Sequence, residues 1–389
     1  MIVQKGFSQE IECCNPGLNW ALHAFSIFKS ENSQMNSRFL TSVLLAAIAL
    51  GPFGFRSQAR LSASAKVSGE SYPYQSQSFS GFIEDSINET KPARAKNFYA
   101  WFDQAYLEHP KVQLKGAATL EVALEMRCKE LIATTDPSKH AALEFETGAW
   151  LHRLIKTTIP RFSLERGFEF TNTVRLGERQ CLLQSVLIAG LLQRMGIDAG
   201  TVMVWRNEKA YTSNNGHAVT LVKGSSGRDW LVDASDPIPT MRHQGLFVFD
   251  ANANAFRFVE PKFAANGLIL EYRRVADGQI LKTSRVRELS VNFLRSQFYY
   301  YRGERAPGGF MGAPTTKVGL EQSAKMLEMA QRLEPQNPLA VYVLGHVYRK
   351  LGRIDQARAQ YLKGYALYQA QGFVPQGPTE AYQQWGRAP

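Results

Sequence analysis

Residues 177–196, GERQCLLQSVLIAGLLQRMG, decide how the rest of the chain is read. From Cys181 to Met195 the run is strongly apolar and predicts about four turns of helix. Gly196 follows, a residue type that commonly closes a helix. Beyond it the pattern changes to short β-branched and aromatic runs. These fall at 198–206, 217–223, 229–234, 245–250, 255–260 and 268–273 and predict strands. Ser225-Ser226-Gly227 makes a tight connection, so 217–223 and 229–234 read as an antiparallel hairpin. Asn252-Ala253-Asn254 and Asp277-Gly278 supply further turns. Upstream, helical stripes cover 93–107 and 117–133, and Asp136-Pro137 opens a third helix that Pro160 closes. Helices first and an antiparallel sheet after them define an α+β layout. One more helix is predicted over about 286–301.

The apolar helix begins on a thiol. Cys181 is followed by His217 in NNGHAVTLV and by Asp233 in RDWLVDAS. A thiol at neutral pH is mostly protonated, and the thiolate is the nucleophile. A helix N-terminus favours the anion, and its unpaired amides can bind a tetrahedral oxyanion. An imidazole can share the thiol proton, and a carboxylate can fix the imidazole tautomer. His217 and Asp233 lie on the two strands of the predicted hairpin, within cross-strand reach. Competing readings make Cys181 a core residue, His217 a satisfied core histidine beside Val219 and Leu221, and Asp236 the orienting acid. Cys128 sits on the apolar stripe of its helix and reads as structural. His140, His152, His243 and His346 lack ligand spacing and read as surface or packing residues. No CxxC pair occurs, so a zinc ribbon or a thioredoxin-like redox motif is unsupported, and no metal and no cofactor is expected.

The chain has 389 residues, 44% hydrophobic and 20% charged, ordinary values for a folded protein of more than one domain. Its net charge is +11, and +10 remains outside residues 1–59. That surplus favours anionic partners. The charges are scattered, without basic runs interleaved with aromatics, so nucleic acid is not expected as a partner.

Residues 35–59, MNSRFLTSVLLAAIALGPFGFRSQA, have the layout of an export signal. Arg38 precedes an apolar run from Phe39 to Leu50, then come Gly51-Pro52 and a small-residue cleavage site at Ser57-Gln58-Ala59. Residues 1–34 then read as an upstream extension, and the product as secreted, periplasmic or held in the cell envelope. If the segment is retained it is an N-terminal membrane anchor. Residues 60–80, rich in Ser, Gly and Gln, read as a flexible linker.

The C-terminal part is helical again. NPLAVYVLGHVYRKLGRIDQARAQYLKGYAL (337–367) carries Leu344-Gly345, Tyr348, Gly352, Ala357, Tyr361 and Gly364 where small and large residues interlock between paired helices. This is the tetratricopeptide spacing, and a shift of about 34 residues finds Leu327, Ala330 and Pro335 at equivalent points. One full repeat and a half are visible, too few to stand alone. The tail is therefore expected to dock on the preceding domain or on a protein partner.

In Gly177 to about Pro237 the chain resembles the transglutaminase-like superfamily of papain-like enzymes. The matching features are Cys181 heading a helix that ends at Gly196-Ile197, the His217-Ala218 strand, and Trp230 followed by Val232-Asp233-Ala234-Ser235. Many members carry Gly-x-Cys, where this chain has Arg179-Gln180. The resemblance implies a papain/transglutaminase-like core over 81–303, followed by tetratricopeptide-like helices over 316–370 and a tail at 371–389. It also implies Cys181, His217 and Asp233 as a catalytic set that attacks an amide and forms a thioester. The substrate is then a peptide, a protein or an envelope polymer, with hydrolysis expected over cross-linking. The family's oxyanion donor has no positional match; Gln180 and Trp150 are the candidates. The rival reading is an inactive binding or scaffold protein on the same fold.

Overall fold

The computed structural model describes residues 71–94 and 97–386. The predicted extension (1–34), the signal-like segment (35–59) and the first part of the linker lie outside the described residues. Among the described residues, no helix is long and apolar enough to cross a membrane.

Among the described residues, four α-helices come first: α1 (Gln77–Thr90), α2 (Phe98–Leu107), α3 (Leu120–Ala133) and α4 (Pro137–Thr158). Ser76, Asn97, Thr119 and Asp136 cap them, each side chain accepting from an amide of the first turn. These caps place α2 and α3 a few residues later than periodicity alone predicts. Cys128 is buried on α3, as the stripe implies.

Residues 71–80 correct the linker expectation. Tyr72 is fully buried, and its hydroxyl pairs with Thr201 Oγ1 and accepts from the Thr201 amide, both at 3.0 Å. Tyr74 and Phe79 pack edge to face at 5.4 Å. Gly190 makes room for them, since a Cβ there would lie 2.8 Å from the Phe79 ring. Three aromatic anchors outweigh the surrounding serines and glutamines, because each buries far more surface than those residues expose.

Next come β1 (Arg161–Phe162), α5 (Phe170–Leu176), β2 (Glu178–Arg179) and α6 (Cys181–Arg194). β1 and β2 form a short parallel pair that leads the chain into α6. The main sheet holds β3 (Ala199–Arg206), β4 (Thr212–Lys223), β5 (Asp229–Val232), β6 (Gly245–Asp250), β7 (Ala255–Phe263), β8 (Ile269–Arg274), β9 (Ile280–Lys282) and β10 (Val286–Arg287). All of its pairings are antiparallel, in the order β10-β6-β3-β4-β5-β8-β7, with β9 on β8. β7 also pairs with β6, so β3, β4, β5, β8, β7 and β6 close into a ring. Alternate residues such as Val202, Val204, Val219, Leu221, Leu246 and Val248 form its buried cluster. α6 packs on β3 and β4, and the fold is α+β.

The remaining helices are α7 (Val291–Glu304), α8 (Lys317–Leu333), α9 (Pro338–Lys350), α10 (Ile354–Gln371) and α11 (Gln376–Ala381). Gly345 lies against Tyr361, where a Cβ would come within 2.7 Å of the ring, and Gly364 faces the Tyr342 backbone. Glycine thus meets tyrosine in both directions between α9 and α10. The helices dock on the preceding domain: Asn337 Nδ2 donates to Ser296 Oγ at 3.0 Å and Gln297 Oε1 at 3.2 Å. Phe373 packs on Trp205 at 4.5 Å.

Candidate thiol site

Cys181 is the first residue of α6. Gln180 before it is extended, and its side chain accepts from the Leu182 amide at 3.1 Å, which starts the helix at the thiol. Two bonds then fix α6 against β4. Ser185 Oγ donates to Ala218 O at 3.0 Å, and Thr220 Oγ1 donates to Ser185 O at 3.0 Å. Ser185 lies one turn after Cys181, and Ala218 follows His217, so these bonds set the thiol beside the imidazole. The Cys181 thiol donates to Gly216 O, the carbonyl just before His217, at 3.9 Å.

His217 Nε2 donates to Asp233 Oδ2 at 2.7 Å. Asp233 sits just beyond β5, fully buried, and its Oδ1 accepts from the Ser235 amide at 2.9 Å. Asp233 therefore holds the imidazole through Nε2. A polar chain ties the two ends of the site together. Buried Arg179 donates to Ile159 O and to Gln184 Oε1, and Gln184 Nε2 donates to Ser235 Oγ at 2.7 Å.

The charges follow from this geometry. Burial pulls the His217 imidazole down, but its bonds to Asp233 and Cys181 outweigh that and hold it well above the usual histidine value. Burial pushes the Asp233 carboxyl up, yet bonds from His217 and His243 hold it well below the usual carboxylate range. Asp236 is raised by burial and by the nearby Asp233 charge, so it leans on Asp233 rather than on His217.

The structure thus brings Cys181, His217 and Asp233 together. It corrects the expectation for His243, which is no surface or packing residue: it is 2% exposed and donates Nε2–H to Asp233 Oδ2 at 3.0 Å. Its loop has no alternation or spacing that could have marked it. His152 packs against Asp236 O at 3.0 Å, and His346 sits among tail aromatics, where burial lowers it to about 4. Trp150 cannot serve as an oxyanion donor, because its Nε1–H is committed to Val112 O at 2.8 Å.

Tyr301 on α7 is a second residue that spacing did not mark. Its hydroxyl donates to Gly216 O at 2.8 Å and lies 3.8 Å from Cys181 Sγ. Phe168 stacks on its outer face at 5.6 Å. With this phenol over it, Cys181 is only 2% exposed. No protein-family model matches the chain, and no curated protein matches it.

Proposed function

We propose that this chain is an exported thiol enzyme with a papain/transglutaminase-like core and a tetratricopeptide-like tail, acting on amide bonds of peptide, protein or envelope-polymer substrates. The observation that carries this reading is the Cys181, His217 and Asp233 arrangement, with the thiol at a helix head, the imidazole beside it, and a buried carboxylate on the second ring nitrogen. Export rests on the pattern of residues 35–59 alone.

In this mechanism His217 takes the Cys181 proton, and the sulfur attacks the amide carbonyl. The new C–S bond gives a tetrahedral oxyanion. The Cys181 main-chain N–H, without an intrahelical acceptor at the first helical position, stabilises that charge. The His217 proton then passes to the leaving amine, the C–N bond breaks, and a thioester remains on Cys181. Water, deprotonated by the same imidazole, adds to the thioester carbonyl; the C–S bond then breaks, the acid leaves, and the imidazolium returns its proton to the sulfur. Asp233 holds the ring in the useful tautomer and stabilises the imidazolium. Tyr301 has to swing off the thiol before substrate can reach it.

The burial of Cys181 under Tyr301 favours a second reading, an inactive member of the fold that only binds. A peptide library separates the two. Acid-quenched mass spectrometry is expected to find an acyl adduct on Cys181 and new peptide termini, both lost in Cys181→Ala. Turnover that persists in Cys181→Ala, or no adduct with any peptide, contradicts the enzyme reading.

A further inference from the structure

His217, Asp233 and His243 offer three ligand atoms within 4.8 Å of one another. They come from three separate segments: β4, the turn after β5, and the residues leading into β6. Both imidazole Nε2 atoms converge on one oxygen, Asp233 Oδ2, at 2.7 and 3.0 Å. A neutral ring that donates from Nε2 has a bare acceptor at Nδ1. For His243 that atom is buried and makes no hydrogen bond. Its polar neighbour is Glu208 Oε2 at 3.5 Å, another acceptor. For the neutral ring, a buried Nδ1 with no donor facing it is a costly arrangement.

A metal at Nε2 removes that mismatch. It places the ring proton on Nδ1, which can then donate to Glu208, the usual outer partner of a ligating histidine. We propose that His217, Asp233 and His243 form a binding site for a divalent transition metal of the zinc type, and that its occupation blocks the Cys181–His217 pair. Two imidazoles and a carboxylate suit zinc better than magnesium or calcium. Around a tetrahedral zinc the ligand atoms lie about 3.3 Å apart, so the two Nε2–Oδ2 spacings of 2.7 and 3.0 Å need to open by a few tenths of an ångström, while all three ligand atoms lie within 4.8 Å of one another. The Ser235 amide already fixes the second carboxylate oxygen. The His217 side chain, 29% exposed, leaves its side of the site open for a water as fourth ligand.

The metal takes the place of the two protons between the rings and the carboxylate. In a neutral imidazole the proton moves from Nε2 to Nδ1. For His217, Nδ1 then carries a proton toward the thiol and can no longer accept one. The blocking half of this inference rests on the thiol reading above; the binding half does not.

The experiment uses the full chain, stripped with a chelator and titrated calorimetrically with zinc. Wild type and Cys181→Ser are expected to bind one equivalent alike. His243→Ala should bind at least tenfold more weakly, and Glu208→Gln, a near-isosteric change at a partly exposed side chain, severalfold more weakly. Zinc should slow iodoacetamide labelling of Cys181 in wild type and leave His243→Ala unaffected. Binding that survives both His243→Ala and Glu208→Gln, or that needs Cys181, overturns the site. Binding as expected on a thiol that labels slowly with or without zinc supports the metal site and defeats the thiol reading alone.

Discussion

The β4–β5 hairpin carries a buried cation–carboxylate pair at each end, and the two pairs have opposite characters. At one end Lys223 meets Asp229, which also accepts from the Tyr272 hydroxyl at 2.7 Å. Lys223 donates again to Thr283 O at 2.6 Å, and its side chain is 8% exposed. Burial dominates there, pushing the Asp229 carboxyl up and the Lys223 ammonium down. At the other end Asp233 receives two imidazoles and a main-chain amide, and these bonds overcome burial in the opposite direction. His217 keeps an open side, its side chain 29% exposed. An enclosed pair pins two strands; in the proposed mechanism, the pair with an open side is the one that does chemistry.

The largest effects should come from breaking the two pairs separately. Removing one partner of a buried pair costs about 3–5 kcal/mol. Asp233→Ala and Asp229→Ala should both lose stability in that range by urea unfolding. Only Asp233→Ala should also abolish rapid alkylation of Cys181. Equal alkylation in the two variants would erase the distinction between the ends.

Acid unfolding sharpens the same contrast. Asp233, held low, contributes stability that is present above about pH 4 and is lost as pH falls below it. Asp229, held high, contributes stability that is present below about pH 4 and is lost as pH rises through its raised value. Asp233→Asn should therefore flatten the acid limb of the stability curve, while Asp229→Asn should leave that limb and relieve a loss at higher pH. A steep acid limb surviving in Asp233→Asn would count against the assignment.

Smaller effects test what surrounds the site. Tyr72→Phe leaves the buried Thr201 amide without its acceptor and should cost about 1–3 kcal/mol. A neutral result would mean that residues 71–80 are not an integral part of the fold. Tyr301→Phe removes the bond to Gly216 O and should cost about 1 kcal/mol while labelling Cys181 faster. Slower labelling would mean that the hydroxyl activates the thiol rather than covers it.

These residues also show what sequence can reveal. The helix headed by Cys181, the strand at 245–250 and the β4–β5 hairpin were legible because periodicity and turn chemistry are local. The order of Cys181, His217 and Asp233 could be read from the same elements. Closure of the sheet through β6 and β7 onto β8 and β5 could not, since a single register pair, Asp229 with Ile269, joins β5 to β8. His243 and Tyr301 reach the site from segments 62 and 120 residues beyond Cys181, and such encounters leave no mark on neighbouring residues. Composition misled at 71–80, where three buried aromatics are scattered among polar residues.

The central claim is that His217 activates Cys181, and the most direct test is the pH dependence of iodoacetamide labelling at Cys181. Wild type should label at about pH 6 nearly as fast as in mildly alkaline solution, and His217→Ala should label slowly until the pH nears the ordinary thiol range of about 8.5. Matching profiles in the two proteins would contradict the account.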